Sequence, residues 1–173
     1  MKVTEFTNYI IFKGVEPSPG EYNQTYLDIL ERIVNFAGER GIYSVLDMHQ
    51  DAFNRKYCGN GVPDWAARPD VENFPYPLEV EYDVDENHHP SIEDCEKISW
   101  PSYHFSTSLS QAVGRLYNNY QGLLDKFAEF WGKVAQTFAD NEFILGYEII
   151  NEPWCGDIYD DPTLLIPGVA DTR

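Results

Sequence analysis

At 173 residues the chain has the size of one domain. Its hydrophobic content of 43% and aromatic content of 15% exclude disorder, which needs a chain poor in aromatic and apolar residues. Asp and Glu number 29 against 12 Lys and Arg, a formal charge of −17 that repels phosphate backbones and anionic lipid and argues against nucleic acid as a partner.

In chain order, Met1-Lys2-Val3-Thr4-Glu5 lacks the apolar core of a secretory signal. Tyr9-Ile10-Ile11-Phe12 is apolar enough for a makeshift strand. From Asn23 to Arg40, the stripe of Tyr26, Leu27, Leu30, Ile33, Val34 and Ala37 predicts a half-buried helix, with Asn23 capping its start and Gly41 following its end. Ile42 to Met48 reads as a strand. A long excursion then runs from His49 to about Ser106, with Pro63, Pro69, Pro75, Pro77, Pro90 and Pro101 and no clear period. Loops that long are functional or disordered, and its aromatic residues favour an ordered, packed loop. A weak helical stretch, about Ser110 to Asn118, leads into a helix from Gly122 to Ala139, with Leu124, Phe127, Trp131, Val134 and Phe138 on one face. Phe143 to Ile150 reads as a second strand. No apolar run approaches the roughly 18 residues of a membrane span.

Apolar runs alternating with helices indicate a parallel sheet covered by helices. Both strands end in residues of catalytic type: Asp47-Met48-His49-Gln50-Asp51 after the first, and Asn151-Glu152-Pro153-Trp154 after the second. Parallel strands bring both clusters to the carboxyl edge, where active sites of such folds form. Each residue has a plainer reading: His49 as a hydrogen-bonded structural histidine, Glu152 as a helix cap or ion-pair partner. A Glu flanked by Ile150 and Trp154 is expected to lose solvation, which raises its pKa and suits a general acid for a leaving oxygen. Asn151 can donate to a sugar hydroxyl, and aromatic rings offer faces on which pyranoses stack. That chemistry suits glycoside cleavage.

Four stretches carry a resemblance: Gly14-Val15-Glu16-Pro17-Ser18-Pro19-Gly20-Glu21-Tyr22-Asn23, Leu46-Asp47-Met48-His49-Gln50-Asp51, Cys58-Gly59-Asn60-Gly61-Val62-Pro63-Asp64-Trp65-Ala66, and Gly146-Tyr147-Glu148-Ile149-Ile150-Asn151-Glu152-Pro153-Trp154. They resemble family 5 of the retaining glycoside hydrolases, the cellulase-like enzymes, and within it the endoglycoceramidase branch. That branch cuts between glycan and ceramide in glycosphingolipids. The resemblance implies an α/β fold, a partial (β/α)8 barrel (TIM barrel) from about the second helix to just past the fourth strand. It sets residues 1–13 apart as a non-matching segment and makes 14–173 an incomplete catalytic domain. By the same resemblance Glu152 is the acid/base and Asn151 binds the hydroxyl next to the anomeric carbon. His49 and Asp51 line the sugar subsite, with Trp100 or Trp65 as an aromatic platform; simple loop packing is the rival account of both tryptophans.

A complete barrel takes about 250 residues. The family's nucleophile is a second Glu near the seventh strand, which this sequence does not contain, so the chain alone is expected to be inactive. Within it, Glu148 lies about 13 Å from Glu152 at ~3.3 Å rise per residue, and Asp157 and Asp51 match other family positions. The alternatives are a non-catalytic carbohydrate- or glycolipid-binding fragment and a family 5 β-glycosidase of another specificity. No cofactor is implied. Asp83, Asp85, Glu86, His88 and His89 read as a solvated loop rather than a metal site. Cys58 and Cys95 can staple the excursion, as a secreted relative would permit, leaving Cys155 free. The expected partner is a glycosphingolipid or other β-glycoside, and the relatives imply a secreted or lysosome-like location. The open edges of a few-stranded sheet predict self-association.

Overall fold

The computed structural model describes residues 4–67 and 73–172. In chain order these form β1 (Thr4–Ile10), α1 (Phe12–Val15), α2 (Gln24–Gly38), β2 (Ile42–Met48), α3 (Ile92–Cys95), α4 (Thr107–Tyr117), α5 (Leu123–Thr137) and β3 (Ile144–Glu148). Short 3-10 turns occur at Arg55–Tyr57, Trp100–Phe105, Tyr120–Gly122, Pro162–Leu165 and Ala170–Thr172. The first three residues of the N-terminal segment and Pro69 of the excursion lie outside the described residues. The chain divides into two compact units: one holds the residues up to His49 together with Lys126–Asn151, the other holds Gln50–Asp125 and the residues from Glu152 onward.

The first unit contains the sheet. Its order is β1-β2-β3 and all pairings are parallel, from Thr4↔Ile42 to Ile10↔Met48 and from Ser44↔Ile144 to Asp47↔Glu148. Parallel neighbours need crossovers, and α2 and then the excursion with α4 and α5 supply them. The result is an open arc of a (β/α)8 barrel. The N-terminal apolar stretch becomes β1, beginning earlier than Tyr9 and running beside β2.

Asn23 caps α2, its side-chain oxygen accepting from the Tyr26 N–H at 3.1 Å. The buried positions of α2 are Leu27, Leu30, Val34 and Gly38, whereas Ile33, expected inside, is 47% exposed. In α5 and its exit the buried row is Leu123, Phe127, Phe130, Val134 and Phe138, and Leu124 is 42% exposed. In both helices the buried row advances by a mixture of three- and four-residue steps, averaging near the 3.6 of a helix, which carries it past Ile33 and Leu124. Phe12 packs on Phe130 and Phe127 at ring-centroid distances of 4.7 and 5.7 Å. The Trp131 indole N–H donates to the Ile149 carbonyl at 3.1 Å, tying α5 to the end of β3.

The second unit orders the excursion. Cys58 and Cys95 are joined by a disulfide, with Cα atoms 5.3 Å apart. Arg55 donates to the Pro90 carbonyl and lies 3.4 Å from the Cys95 sulfur. Phe74 packs against Tyr57, Tyr82 and Tyr103, each at 5.7 Å. Asp85 accepts from the Asn87 and His89 N–H groups, and His89 Nε2 lies 2.9 Å from Asp64 Oδ2. Among the described residues no three His, Cys, Asp or Glu side chains gather as a metal ion needs.

Candidate active site

In the first unit lie Asp47, His49 and Asn151. Asp47 is the penultimate residue of β2 and is 2% exposed; its Oδ2 lies 3.0 Å from His49 Nδ1. Its other oxygen, Oδ1, is buried and accepts no hydrogen bond among the described residues. Tyr9, the register partner of Asp47 on β1, stacks on the His49 ring with centroids 3.9 Å apart and planes 17° apart. The His49 N–H donates to the Ile10 carbonyl at 3.0 Å, and that of Asn151 to the Met48 carbonyl at 3.3 Å. The parallel sheet therefore holds His49 and the buried Asn151 at one carboxyl edge.

In the second unit lie Asp51 and Glu152. Asp51 pairs with Asn60, exchanging backbone hydrogen bonds of 3.4 and 2.7 Å, and its Oδ2 accepts from Asn60 Nδ2 at 3.1 Å. Gly59 makes this approach possible: a Cβ there would stand 1.8 Å from the Asp51 carbonyl oxygen. Gln50 is buried; its Oε1 accepts from the Phe53 N–H at 2.9 Å and its Nε2 donates to the Glu152 carbonyl at 3.3 Å. Glu152 has φ +40°, a left-handed conformation that residues other than glycine seldom adopt. The burial expected for it is not found: its side chain and Pro153 are exposed on the turn that follows β3.

The segment after Glu152 is fixed to α4. Buried Ser110 donates from Oγ to the Gly156 carbonyl at 2.9 Å and accepts from the Ile158 N–H at 3.1 Å and the Trp154 indole at 3.3 Å. Trp154 lies against His104 at 5.1 Å and Phe105 at 5.3 Å, and Trp100 meets His104 at 5.8 Å. Trp100 is 46% exposed, whereas Trp65, on the turn that Pro63 starts, is half-buried. His104 is buried, which lowers its proton affinity against the opposing pull of the Pro101 carbonyl and the Glu152 and Asp51 carboxylates. Sequence reasoning gave no role to His104, which sits in an aperiodic stretch without a motif. It also gave none to Asp47, which lies within a motif, or to Tyr9, in the segment set apart.

The sequence signature of cellulase, glycosyl hydrolase family 5, matches residues 6–161, beginning before Gly14, where the family-like motifs begin. The chain belongs to this family of glycosidases, and its open parallel sheet is part of the family's (β/α)8 barrel. It is 48% identical over 95% of its length to an endoglycoceramidase of Cyanea nozakii and 44% identical over 94% to one of Hydra vulgaris. The structure of endo-glycoceramidase II from Rhodococcus sp. in complex with ganglioside GM3 superposes with a TM-score of 0.69 at 27% identity, over 93% of this chain and 34% of that one. The chain spans about a third of the curated relatives, 33% and 32% of their lengths.

Proposed function

We propose that this chain supplies the acid/base part of a retaining glycosidase that hydrolyses the bond between oligosaccharide and ceramide in glycosphingolipids. The observation that carries the reading is Glu152, exposed on the turn after β3 and fixed by Gln50, in a chain 48% identical to an endoglycoceramidase. Glu152 protonates the glycosidic oxygen as ceramide departs, then takes a proton from the water that releases the sugar. The partner carboxylate of a retaining pair stands about 5–5.5 Å away and attacks the anomeric carbon. The family resemblance assigns that role to a Glu near the seventh barrel strand, beyond the three strands of this sheet, so the 173 residues alone are expected not to turn over substrate.

Asn151 donates to the hydroxyl beside the anomeric carbon, and its burial and its bond to Met48 support a fixed position. By the family resemblance, His49 and Asp51 each bind sugar hydroxyls. Trp100 is the better platform, since nearly half of it is exposed, and Trp65 the second choice. A disulfide between Cys58 and Cys95 supports an oxidising, secretory destination.

The test replaces the matched third of the Cyanea nozakii relative with this chain and supplies lactosylceramide with a fluorescent acyl chain. Release of free lactose and intact fluorescent ceramide supports the reading. Cleavage between the two sugars, leaving glucosylceramide, contradicts it.

A further inference from the structure

Proton transfer gives Glu152 a task but does not explain why the chain just past it is bound so closely to α4. We propose that Ser110, with Gly114 and Tyr117 beside it on α4, is a positioning residue that holds the turn of Glu152 where its carboxyl meets the glycosidic oxygen. The inference deepens the assignment of Glu152 as acid/base and rests on it.

Ser110, Gly114 and Tyr117 stand at i, i+4 and i+7 of α4, a spacing that puts them on one side of the helix. Each acts differently on residues 154–158. A hydroxyl offers one proton and two lone pairs. Fully buried Ser110 uses all three: Oγ donates to the Gly156 carbonyl at 2.9 Å and accepts from the Ile158 N–H at 3.1 Å and the Trp154 indole at 3.3 Å. Gly114 lets the backbone come that near, because a Cβ there would stand 2.8 Å from Asp157 Cβ and 3.1 Å from its nitrogen. Tyr117 donates from its hydroxyl to the Trp154 carbonyl at 2.8 Å.

Trp154 is thus held by both its indole and its carbonyl, and only Pro153 separates it from Glu152. The proline ring fixes one backbone dihedral of that link. On the other side Gln50 donates to the Glu152 carbonyl at 3.3 Å. Glu152 itself has φ +40°, a conformation that persists where the surrounding structure imposes it. Its side chain is exposed, so its aim at a substrate is set through the backbone that carries it.

The test compares two substrates of the Cyanea nozakii relative carrying this chain. For a retaining glycosidase kcat/KM reports formation of the glycosyl-enzyme, which needs a proton donor for ceramide but not for 2,4-dinitrophenolate. In Ser110→Ala it is expected to fall about thirtyfold for lactosylceramide, within the roughly 10²-fold that a misplacement of about 1 Å can cost, and far less for 2,4-dinitrophenyl lactoside. Tyr117→Phe, which removes one bond, is expected to show a smaller split of the same sense. A loss of folded protein lowers both substrates alike, so the ratio separates position from stability. In the 173-residue chain, the Trp154 indole N–H is expected to exchange with solvent about tenfold faster in Ser110→Ala, the scale of one hydrogen bond.

Equal losses on both substrates in Ser110→Ala overturn the proposal, and if that variant does not fold, equal losses in Tyr117→Phe do so. An unchanged indole exchange rate overturns it as well. Glu152→Gln in the same protein keeps two failures apart. A split there without one in Ser110→Ala sinks this inference alone, and no split there removes the acid/base reading and this inference with it.

Discussion

His104 shows at the scale of one residue how the second unit couples packing to charge. Its ring is buried between Trp100 and Trp154, and its lowered proton affinity has burial as the leading cause. A histidine that binds protons less well folded than unfolded costs stability when the unfolded chain takes up the proton. The contribution is therefore fully present above the unfolded value near 6.5 and is lost as pH falls through the lower folded value. Thermal melts from pH 7.5 to pH 5 should show a falling midpoint in the wild type, and a smaller fall in His104→Gln, which has no proton to take up. Equal falls in the two proteins would mean that another group carries the acid sensitivity. The Pro101 carbonyl at 3.3 Å places the neutral proton on Nδ1.

At the scale of elements, the long excursion is held by a covalent bond as well as by packing. The disulfide closes a loop of sequence separation 37. Loop-closure entropy for that length is worth about 4 kcal/mol, with typical measured values of roughly 2–4 kcal/mol. Urea unfolding followed by tryptophan fluorescence should show a loss of that size on reduction or in Cys58→Ala/Cys95→Ala. Without such a loss, the Phe74 cluster and Ser110 would hold the second unit by themselves. The regular elements were legible because their periods are strong: β2 falls on Ile42–Met48 as read, and α2 begins at its Asn23 cap. Phases were harder, as Ile33 and Leu124 show, because two adjacent apolar residues do not reveal which one faces the core. The excursion carries no period, so the contacts of His104, and Ser110 as an anchor, arise from tertiary packing that spacing does not encode. Glu152 was legible as a candidate through its strand-end position and motif, but its exposure was not, since burial depends on neighbours distant in sequence.

At the scale of the whole molecule, the three-stranded sheet leaves both edges unpaired among the described residues. Leu145, Tyr147 and Ile149 on and after β3 are exposed, as are Phe6 and Tyr9 on β1. Such edges template pairing with another chain, and we propose concentration-dependent self-association through them. Sedimentation velocity should show the average mass rising with concentration, and Leu145→Lys should suppress the rise. A monomer at every concentration would refute the idea. The chain spans about a third of the curated relatives' lengths, 33% and 32%.

If Glu152 is the proton donor and acceptor of glycoside cleavage, as proposed above, the effect of its loss must depend on the leaving group. With the chain installed in the Cyanea nozakii relative, Glu152→Gln should lower hydrolysis of lactosylceramide by roughly a thousandfold, within the 10²–10⁴ range of acid–base catalysis. The loss should be far smaller for formation of the glycosyl-enzyme from 2,4-dinitrophenyl lactoside, whose phenolate departs without a proton. Equal losses on both substrates would contradict the claim and leave Glu152 a structural residue or the nucleophile itself.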